Sequence, residues 1–430
     1  DFLSVIKGSI ESDATLARVI PSMGTTSAPF LEFSGEIKRA VDVPVMHASR
    51  IADVATARHA VRDGLLDLVG MTRAQIADPH LVRKIAAGEE DRIRPCVGAS
   101  YCIDAIYQAG ATKCIHNPST GREQELPHQI QPAASPGRTA VVVGAGPAGL
   151  EASRVLAERG HRVVVFEANS SPGGQIAIAA RSPRRRDLIG IVDWRVSEAK
   201  LLGVDLRLGV FAEVDEVLRE RPDVVVVATG GTPNRTFLDE GEDLVVDTWD
   251  VLDGTARLSG DVLVYDDNGG HPGMDATEML AGRTRLEFVT PERTLGPDVG
   301  SMNSPAYLSA FAEHDVTTTL GQRLLGVGRA ADGRLRARLF SEYAGRETER
   351  VVDHVVVEHG TLPNDELYNA LLGGSSNRGE VDIDALLALG QQTVRTNPAG
   401  DYQLFRIGDA VASRNIHAAV LDAYRLCTAI

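Results

Sequence analysis

The run Thr139–Val143, followed by Gly144-Ala145-Gly146-Pro147-Ala148-Gly149, restricts this chain more than any other segment. A short β-branched tract closed by glycine predicts a buried strand. Leu150, Ala152, Val155 and Leu156 recur at helical spacing and predict a helix directly after the turn. Arg162–Phe166 predicts the next strand, ending in Glu167. In that setting each glycine has a task. Gly144 permits the tight turn, Gly146 lets backbone approach a pyrophosphate, and Gly149 allows close helix–strand packing. The helix N-terminus offers free N–H groups and a partial positive charge to phosphate. Glu167, 18 residues after Gly149, stands where a carboxylate accepts hydrogen bonds from a ribose. A tight turn without a ligand is the bland alternative. The ordered series of strand, turn, helix, strand and acid disfavours it.

Further motifs extend the nucleotide reading to a flavin. Gly173-Gly174-Gln175, Ala228-Thr229-Gly230-Gly231 and Ile407-Gly408-Asp409 lie where flavoproteins with two dinucleotide units bring backbone to the cofactor. Gly174, Gln175, Thr229, Gly230, Gly408 and Asp409 are therefore candidate cofactor residues. Asp409 would meet the ribityl chain if the ligand is FAD rather than ADP. Near Gly260 the strand–turn–helix pattern restarts, with Asp261–Tyr265 as its strand. Here the turn reads Asp266-Asp267-Asn268-Gly269-Gly270-His271-Pro272-Gly273, with Asn268 in place of the first glycine. Two carboxylates near a docking pyrophosphate, ~4–6 Å away at an effective dielectric of ~20, repel it by a few kcal/mol. A retained structural domain is favoured there over NAD(P) binding.

Three of the four cysteines, Cys96, Cys102 and Cys114, lie within nineteen residues. Thiols grouped this closely in a cysteine-poor chain predict a metal centre rather than a disulfide framework. An iron–sulfur cluster usually takes four cysteines, and this stretch supplies three. His116 is a possible substitute ligand; a histidine bonded to backbone is the favoured alternative. Cys427, far along the chain in a helical stretch, reads as core.

Residues 1–92 alternate strand and helix, with Phe2–Ile6, Val43–Met46 and Leu66–Val69 as strands and Pro29–Ala40, Asp53–Asp63 and Pro79–Ala87 as helices. Such alternation predicts parallel strands with right-handed crossovers. Three units cannot close a barrel, so this is a small open sheet or the end of a truncated barrel. His47-Ala48-Ser49-Arg50 follows one strand and Gly70-Met71-Thr72-Arg73 the next. Loops after the last strands of such barrels form phosphate sites, which makes Ser49, Arg50, Met71, Thr72 and Arg73 candidates for a flavin phosphate, although either arginine taken alone reads as a surface residue. Residues 93–137 hold the cysteines and then lose periodicity, and Pro118, Pro127, Pro132 and Pro136 mark a linker. The basic run Arg181 to Arg186 reads as a solvated loop.

Composition narrows the function classes. A formal charge of −15 argues against nucleic acid. No apolar run is long enough for a membrane span. Four cysteines in 430 residues fit a reducing cytoplasm. The N-terminal Asp1–Ile6 lacks a basic or signal-type segment and reads as the middle of a strand, as though the sequence starts inside a larger protein.

Taken together, these residues resemble the trimethylamine dehydrogenase and 2,4-dienoyl-CoA reductase family, in which an Old Yellow Enzyme-type barrel is joined to a cysteine-ligated cluster and two nested dinucleotide-type domains. Gly70-Met71-Thr72-Arg73 through Ile76-Ala77-Asp78-Pro79 is similar to the family's final FMN-phosphate loop. Arg92-Ile93-Arg94-Pro95-Cys96-Val97-Gly98 is similar to its entry to the cluster. Within the family, Cys96–Asp104, Cys114–Pro118, Tyr265–Met274 and Glu358–Leu367 resemble the N-methylproline and dimethylglycine demethylases most.

The resemblance implies an α/β chain with four parts. Residues 1–92 would be the C-terminal part of an FMN-binding TIM (β/α)8 barrel lacking its first five strands. Residues 93–137 would be an iron–sulfur segment and linker. Residues 138–255 and 375–430 would form an FAD- or ADP-binding Rossmann domain, and 256–374 an inserted, degenerate NAD(P)-like domain. Cys96, Cys102 and Cys114 would ligate the cluster, and Ala99 stands where the family has its other cysteine. A [4Fe–4S] cluster with water or another side chain on one iron, a [3Fe–4S] cluster, or no cluster all fit that change.

The implied activity is oxidative N-demethylation of a small methylated amine or amino acid. A hydride equivalent would pass from the N-methyl carbon to FMN, and the iminium would hydrolyse to amine and formaldehyde. Electrons would leave through the cluster to an electron-transfer flavoprotein-like acceptor or partner subunit of a homo- or hetero-oligomer. The catalytic residues would lie mostly in the absent strands. The runner-up is an NAD(P)H-dependent enoate or dienoyl-CoA-type reductase, and a third reading is a non-catalytic electron-relay subunit.

Overall fold

Valine-rich strands build the central layer, because β-branched side chains fill a sheet covered on both faces. The computed structural model describes residues 1–135 and 137–430; Pro136, one of the prolines marking the linker, lies outside the described residues. Strand Thr139–Val143 is flanked by Arg162–Glu167 and Val224–Val227, with Asp205–Leu208 and Gln403–Arg406 at the edges, all parallel. Val141, Val142, Val164, Val165 and all of Val224–Val227 are fully buried. Each such side chain stabilises the fold by about 1.5–3 kcal/mol. The strand before Ile407-Gly408-Asp409 thus returns to the first sheet after a long excursion.

The excursion contains a second parallel sheet, in the order Thr317–Leu320, Arg285–Thr290, Asp261–Asp266, His354–Glu358 and Val246–Asp247. Its last edge strand precedes residue 256, so the second sheet draws on chain that sequence pattern alone assigns to the first unit. An antiparallel sheet of Arg323–Arg329, Leu335–Ser341 and Arg346–Val352 covers it. The chain passes between the two units along a two-stranded ribbon, Gly231–Pro233 against Thr361–Pro363.

The N-terminal region forms a three-stranded parallel sheet, Leu3–Val5, Val45–His47 and Leu68–Val69 in sequence order. Past it, the helix Tyr101–Tyr107 carries Cys102. One sequence expectation needs correction. The run Arg181–Arg186 is not simply solvated. Arg185 is buried, and Arg184 pairs with Glu278 while its guanidinium lies over the Tyr307 ring. Two arginines therefore pin this loop to the second unit. No helix among the described residues is long and apolar enough to cross a membrane.

Candidate functional site

Short loops carry Arg50 and Arg73 to a common place. The Gly70 amide donates to the His47 carbonyl (2.9 Å), and a Cβ at Gly70 would fall 2.6 Å from the Ala48 Cβ. The two loops can abut only because residue 70 is glycine. Arg50, Thr72 and Arg73 then line a small cavity with Cys96 and Gly98. Arg50 holds a left-handed backbone, φ 51°, which a non-glycine residue adopts at a cost. Its Nε donates to the Thr25 carbonyl (3.1 Å) and its Nη2 to Asp187 (2.6 Å). Arg73 Nη1 donates to the Pro21 carbonyl. Ser49 and Met71 do not line this cavity. The Ser49 hydroxyl turns to the Val19 carbonyl, and Met71 packs against the core of the N-terminal sheet.

A second small cavity adjoins the first and shares Arg73, Cys96 and Gly98 with it. Cys96, Cys102 and Cys114 all face it, and none is in a disulfide. Burial, then the charges of Cys96 and Cys114, push the Cys102 thiol up to about 11. Three thiolates at one cavity would need a cation to stay ionised together, which a bound metal would supply. No three His, Cys, Asp or Glu among the described residues close on a point fit for a single ion. The loop between the cysteines is tightly curled, with Gly98 at φ 68° and Ser100 at φ 58°.

His116 is held away from a ligand role. Its Nε2 meets the Pro95 carbonyl (2.8 Å), and its Nδ1 accepts from Arg195 Nη1 (2.9 Å). Both ring nitrogens are engaged, as expected for a histidine bonded to backbone. Burial and the Arg195 charge hold it well below the usual imidazole range. Arg195 is fully buried and also pairs with Glu151 (2.8 Å) on the helix Pro147–Glu158. Burial works against the Glu151 carboxylate, but Arg154 and Arg195 outweigh it and keep it ionised. The cysteine segment is thus wired to the nucleotide-turn helix by a buried ion network. Sequence reasoning missed Arg195 and Glu151. Arg195 sits in the mixed stretch Ile189–Leu201, where nothing in the pattern marks it as buried.

The first glycine turn is shaped by contacts that exclude side chains. A Cβ at Gly144 (φ 104°) would lie 2.3 Å from the Ala228 carbonyl oxygen, and one at Gly149 only 1.9 Å from that of Gly144. Gly146 is open on its free side. Glu167 is buried beside the turn, its Oε2 accepting from the Ala145 amide (2.7 Å) and its Oε1 from Asn169. Gly174 (φ 51°) approaches Gly146, and Gln175 Nε2 donates to Asp409 Oδ2 (2.9 Å). Gly408, at φ 63°, precedes Asp409. Thr229 and Gly230 both bond to Asn364, whose neighbouring Thr361 reaches Asp409. Gly144, Gly146, Gly149, Glu167, Gly174, Gln175 and Asp409 therefore gather at one end of the sheet, with Thr229 and Gly230 on the adjoining ribbon. Residues present fit an adenine dinucleotide: an open glycine, a carboxylate and converging amides.

The second turn is occupied by its own side chains. Asp266 Oδ1 accepts from the amides of Asn268 (2.9 Å) and Gly269 (2.8 Å). A Cβ at Gly273 would fall 2.3 Å from Asp266 Oδ2, so the carboxyl lies over the helix start where a pyrophosphate would dock. Burial and then the Glu358 charge push Asp266 up to about 8. Glu358 in turn accepts from Asn268 Nδ2 and the Gly360 amide, while Asp267 pairs with His359.

Comparison with known proteins agrees with this architecture. The family model described as pyridine nucleotide-disulphide oxidoreductase matches residues 38–250 and 138–423. A probable N-methylproline demethylase from Rhizobium meliloti (strain 1021) is 50% identical over 427 residues, 99% of this chain and 63% of its own length. An N,N-dimethylglycine/sarcosine dehydrogenase from Chromohalobacter salexigens is 44% identical over 440 residues, again 99% and 63%. The solved complex of 2-naphthoyl-CoA reductase with 2-naphthoyl-CoA superposes with a TM-score of 0.81 at 26% identity, over 99% of this chain and 60% of that one. The chain thus spans less than two thirds of the length of these relatives. With a matching model across both Rossmann-like sheets, the chain belongs to the pyridine nucleotide-disulphide oxidoreductase family.

Proposed function

We propose that this chain is the electron-handling part of a flavin-dependent N-demethylase of a small methylated amino acid, of the N-methylproline or dimethylglycine type. The observation that carries the reading is the pair of adjoining cavities. One is lined by Arg50, Thr72 and Arg73, the other by Cys96, Cys102 and Cys114, and Arg73, Cys96 and Gly98 belong to both. When bound, an FMN would supply hydride acceptance from the N-methyl carbon, and an iron–sulfur cluster would supply one-electron transfer.

The residues have separate tasks. Arg50 and Arg73 hold the flavin phosphate by charge-assisted bonds. Asp187 fixes the Arg50 fork, and so ties the phosphate loop to the nucleotide-binding unit. The three thiolates hold the cluster, and Arg195 and His116 lock the segment that carries Cys114. Gly144, Gly146, Gly149 and Glu167 receive FAD or ADP, with Asp409 near the ribityl chain. Residues 1–92 are then the C-terminal part of an FMN-binding barrel, 93–137 the iron–sulfur segment, 138–255 with 375–430 the FAD or ADP unit, and 256–374 its insert. In the insert, Asp266 takes the amides that a pyrophosphate needs. That supports electron exit to a flavoprotein-like acceptor rather than exchange with NAD(P), in a cytoplasmic enzyme.

The similarity to a naphthoyl-CoA reductase keeps a reductase as the second reading. Anaerobic stopped-flow mixing of the full-length protein separates the two. Flavin bleaching by N-methylproline or dimethylglycine, with none by NADPH, is expected. Rapid bleaching by NADPH alone would overturn the demethylase reading.

A further inference from the structure

Three cysteines leave an iron–sulfur cluster one ligand short, so the remaining polar groups around the second cavity decide what completes it. They are Arg73, Ser100, Tyr101 and His116. Arg73 is a cation, already donating to Pro21, and cannot ligate a metal. His116 has both nitrogens engaged. The Tyr101 hydroxyl meets Asn415, and its ring packs on His417. Ser100 is different. It is 3% exposed, and its Oγ has no hydrogen-bond partner among the described residues.

A buried hydroxyl without a partner needs an explanation. Ser100 precedes the helix Tyr101–Tyr107, in a position where serine side chains usually cap the following amides. It makes no such bond; the Ile103 and Asp104 amides go to its carbonyl instead. Its backbone is left-handed, at φ 58°, a conformation that serine adopts only under constraint. The chain therefore accepts an unfavourable backbone and an idle hydroxyl at one residue, and that residue faces the same cavity as three thiols.

We propose that Ser100 Oγ is the fourth ligand of the centre held by Cys96, Cys102 and Cys114. The inference rests on the iron–sulfur reading above. Binding breaks the Ser100 O–H bond, forms an iron–oxygen bond and releases the proton to water, with no change of oxidation state. The donor set is three sulfurs and one harder oxygen, with the Arg73 cation beside it to offset the added negative charge.

Iron and acid-labile sulfide analysis with EPR tests this in three forms of the full-length protein: wild type, Ser100→Ala and Ser100→Gly. Glycine favours φ 58°, so the second variant relaxes the backbone while removing the hydroxyl. Both variants are expected to lose one iron per chain and to show the oxidised-state signal of a three-iron cluster, with their bound adenine nucleotide unchanged. Ser100→Cys is expected to retain the full iron count. Wild-type iron and wild-type spectra in both Ser100→Ala and Ser100→Gly would overturn the assignment while leaving the cluster in place. Iron-free wild-type protein would instead overturn the cluster reading itself.

Discussion

Replacing Asp266 by asparagine should stabilise the second unit, and increasingly so as the pH rises. The carboxyl titrates near 8 in the fold against an ordinary value of 3.8, because it is buried and faces Glu358. Its folded pKa is therefore above its unfolded one. The native state holds a proton that the unfolded chain releases, so stability is fully present below about pH 4 and falls until about pH 8. Across the interval from 3.8 to 7, at about 1.4 kcal/mol per pH unit, the loss is at most ~4 kcal/mol. Glu358 and Asp267 share this crowded site, so the part removed by one substitution is of order 2–4 kcal/mol. Asparagine keeps an Oδ1 for the amides of Asn268 and Gly269 and never ionises. Hydrogen exchange of those two amides measures the effect directly. Asp266→Asn should match wild type near pH 4 and protect them more strongly at pH 8, by a factor of roughly 30 or more. Equal protection in both proteins at pH 8, or weaker protection in the variant, would refute the buried neutral acid.

Three other substitutions test the remaining contacts. Gly149→Ala places a Cβ 1.9 Å from the Gly144 carbonyl oxygen, and nucleotide released on denaturation should fall to background. Arg195→Met leaves Glu151 and His116 without their shared partner and should cost about 3–5 kcal/mol in denaturant unfolding. The same variant should lose less stability than wild type as pH falls through the carboxylate range, because Arg195 helps to hold Glu151 ionised. Gly98→Ala puts a Cβ 2.2 Å from Arg50 Nη1 at a backbone φ of 68°, and displacing that guanidinium should weaken FMN binding by about tenfold or more in a fluorescence titration.

The glycine turn was legible because its demands are local. A strand, a turn that admits no Cβ and a helix follow one another within a few residues, and backbone contacts at Gly144 and Gly149 account for each glycine. The cysteines were legible from spacing alone. The Asp266 problem was legible in sign, but as repulsion of a ligand; the folded turn adds that the carboxyl takes the ligand's own hydrogen bonds. Long-range partners were not legible. Asp187 meets Arg50 across 137 positions and Arg195 meets His116 across 79, and no periodicity records such meetings. Arg184 and Arg185 misled for the same reason: a basic run reads as solvated until Glu278 and Tyr307 pack against it. The edge strand Val246–Asp247 was too short to carry a pattern.

In the proposed function, Cys96, Cys102 and Cys114 hold an iron–sulfur centre that accepts electrons released by amine oxidation next to it. Low-temperature EPR of the full-length protein, frozen after anaerobic mixing with N-methylproline or dimethylglycine, tests it most directly. A reduced iron–sulfur signal that appears with the amine and is absent in Cys102→Ala is the predicted result. Iron-free protein, or a cluster signal that the amine leaves unchanged while the flavin bleaches, would contradict it.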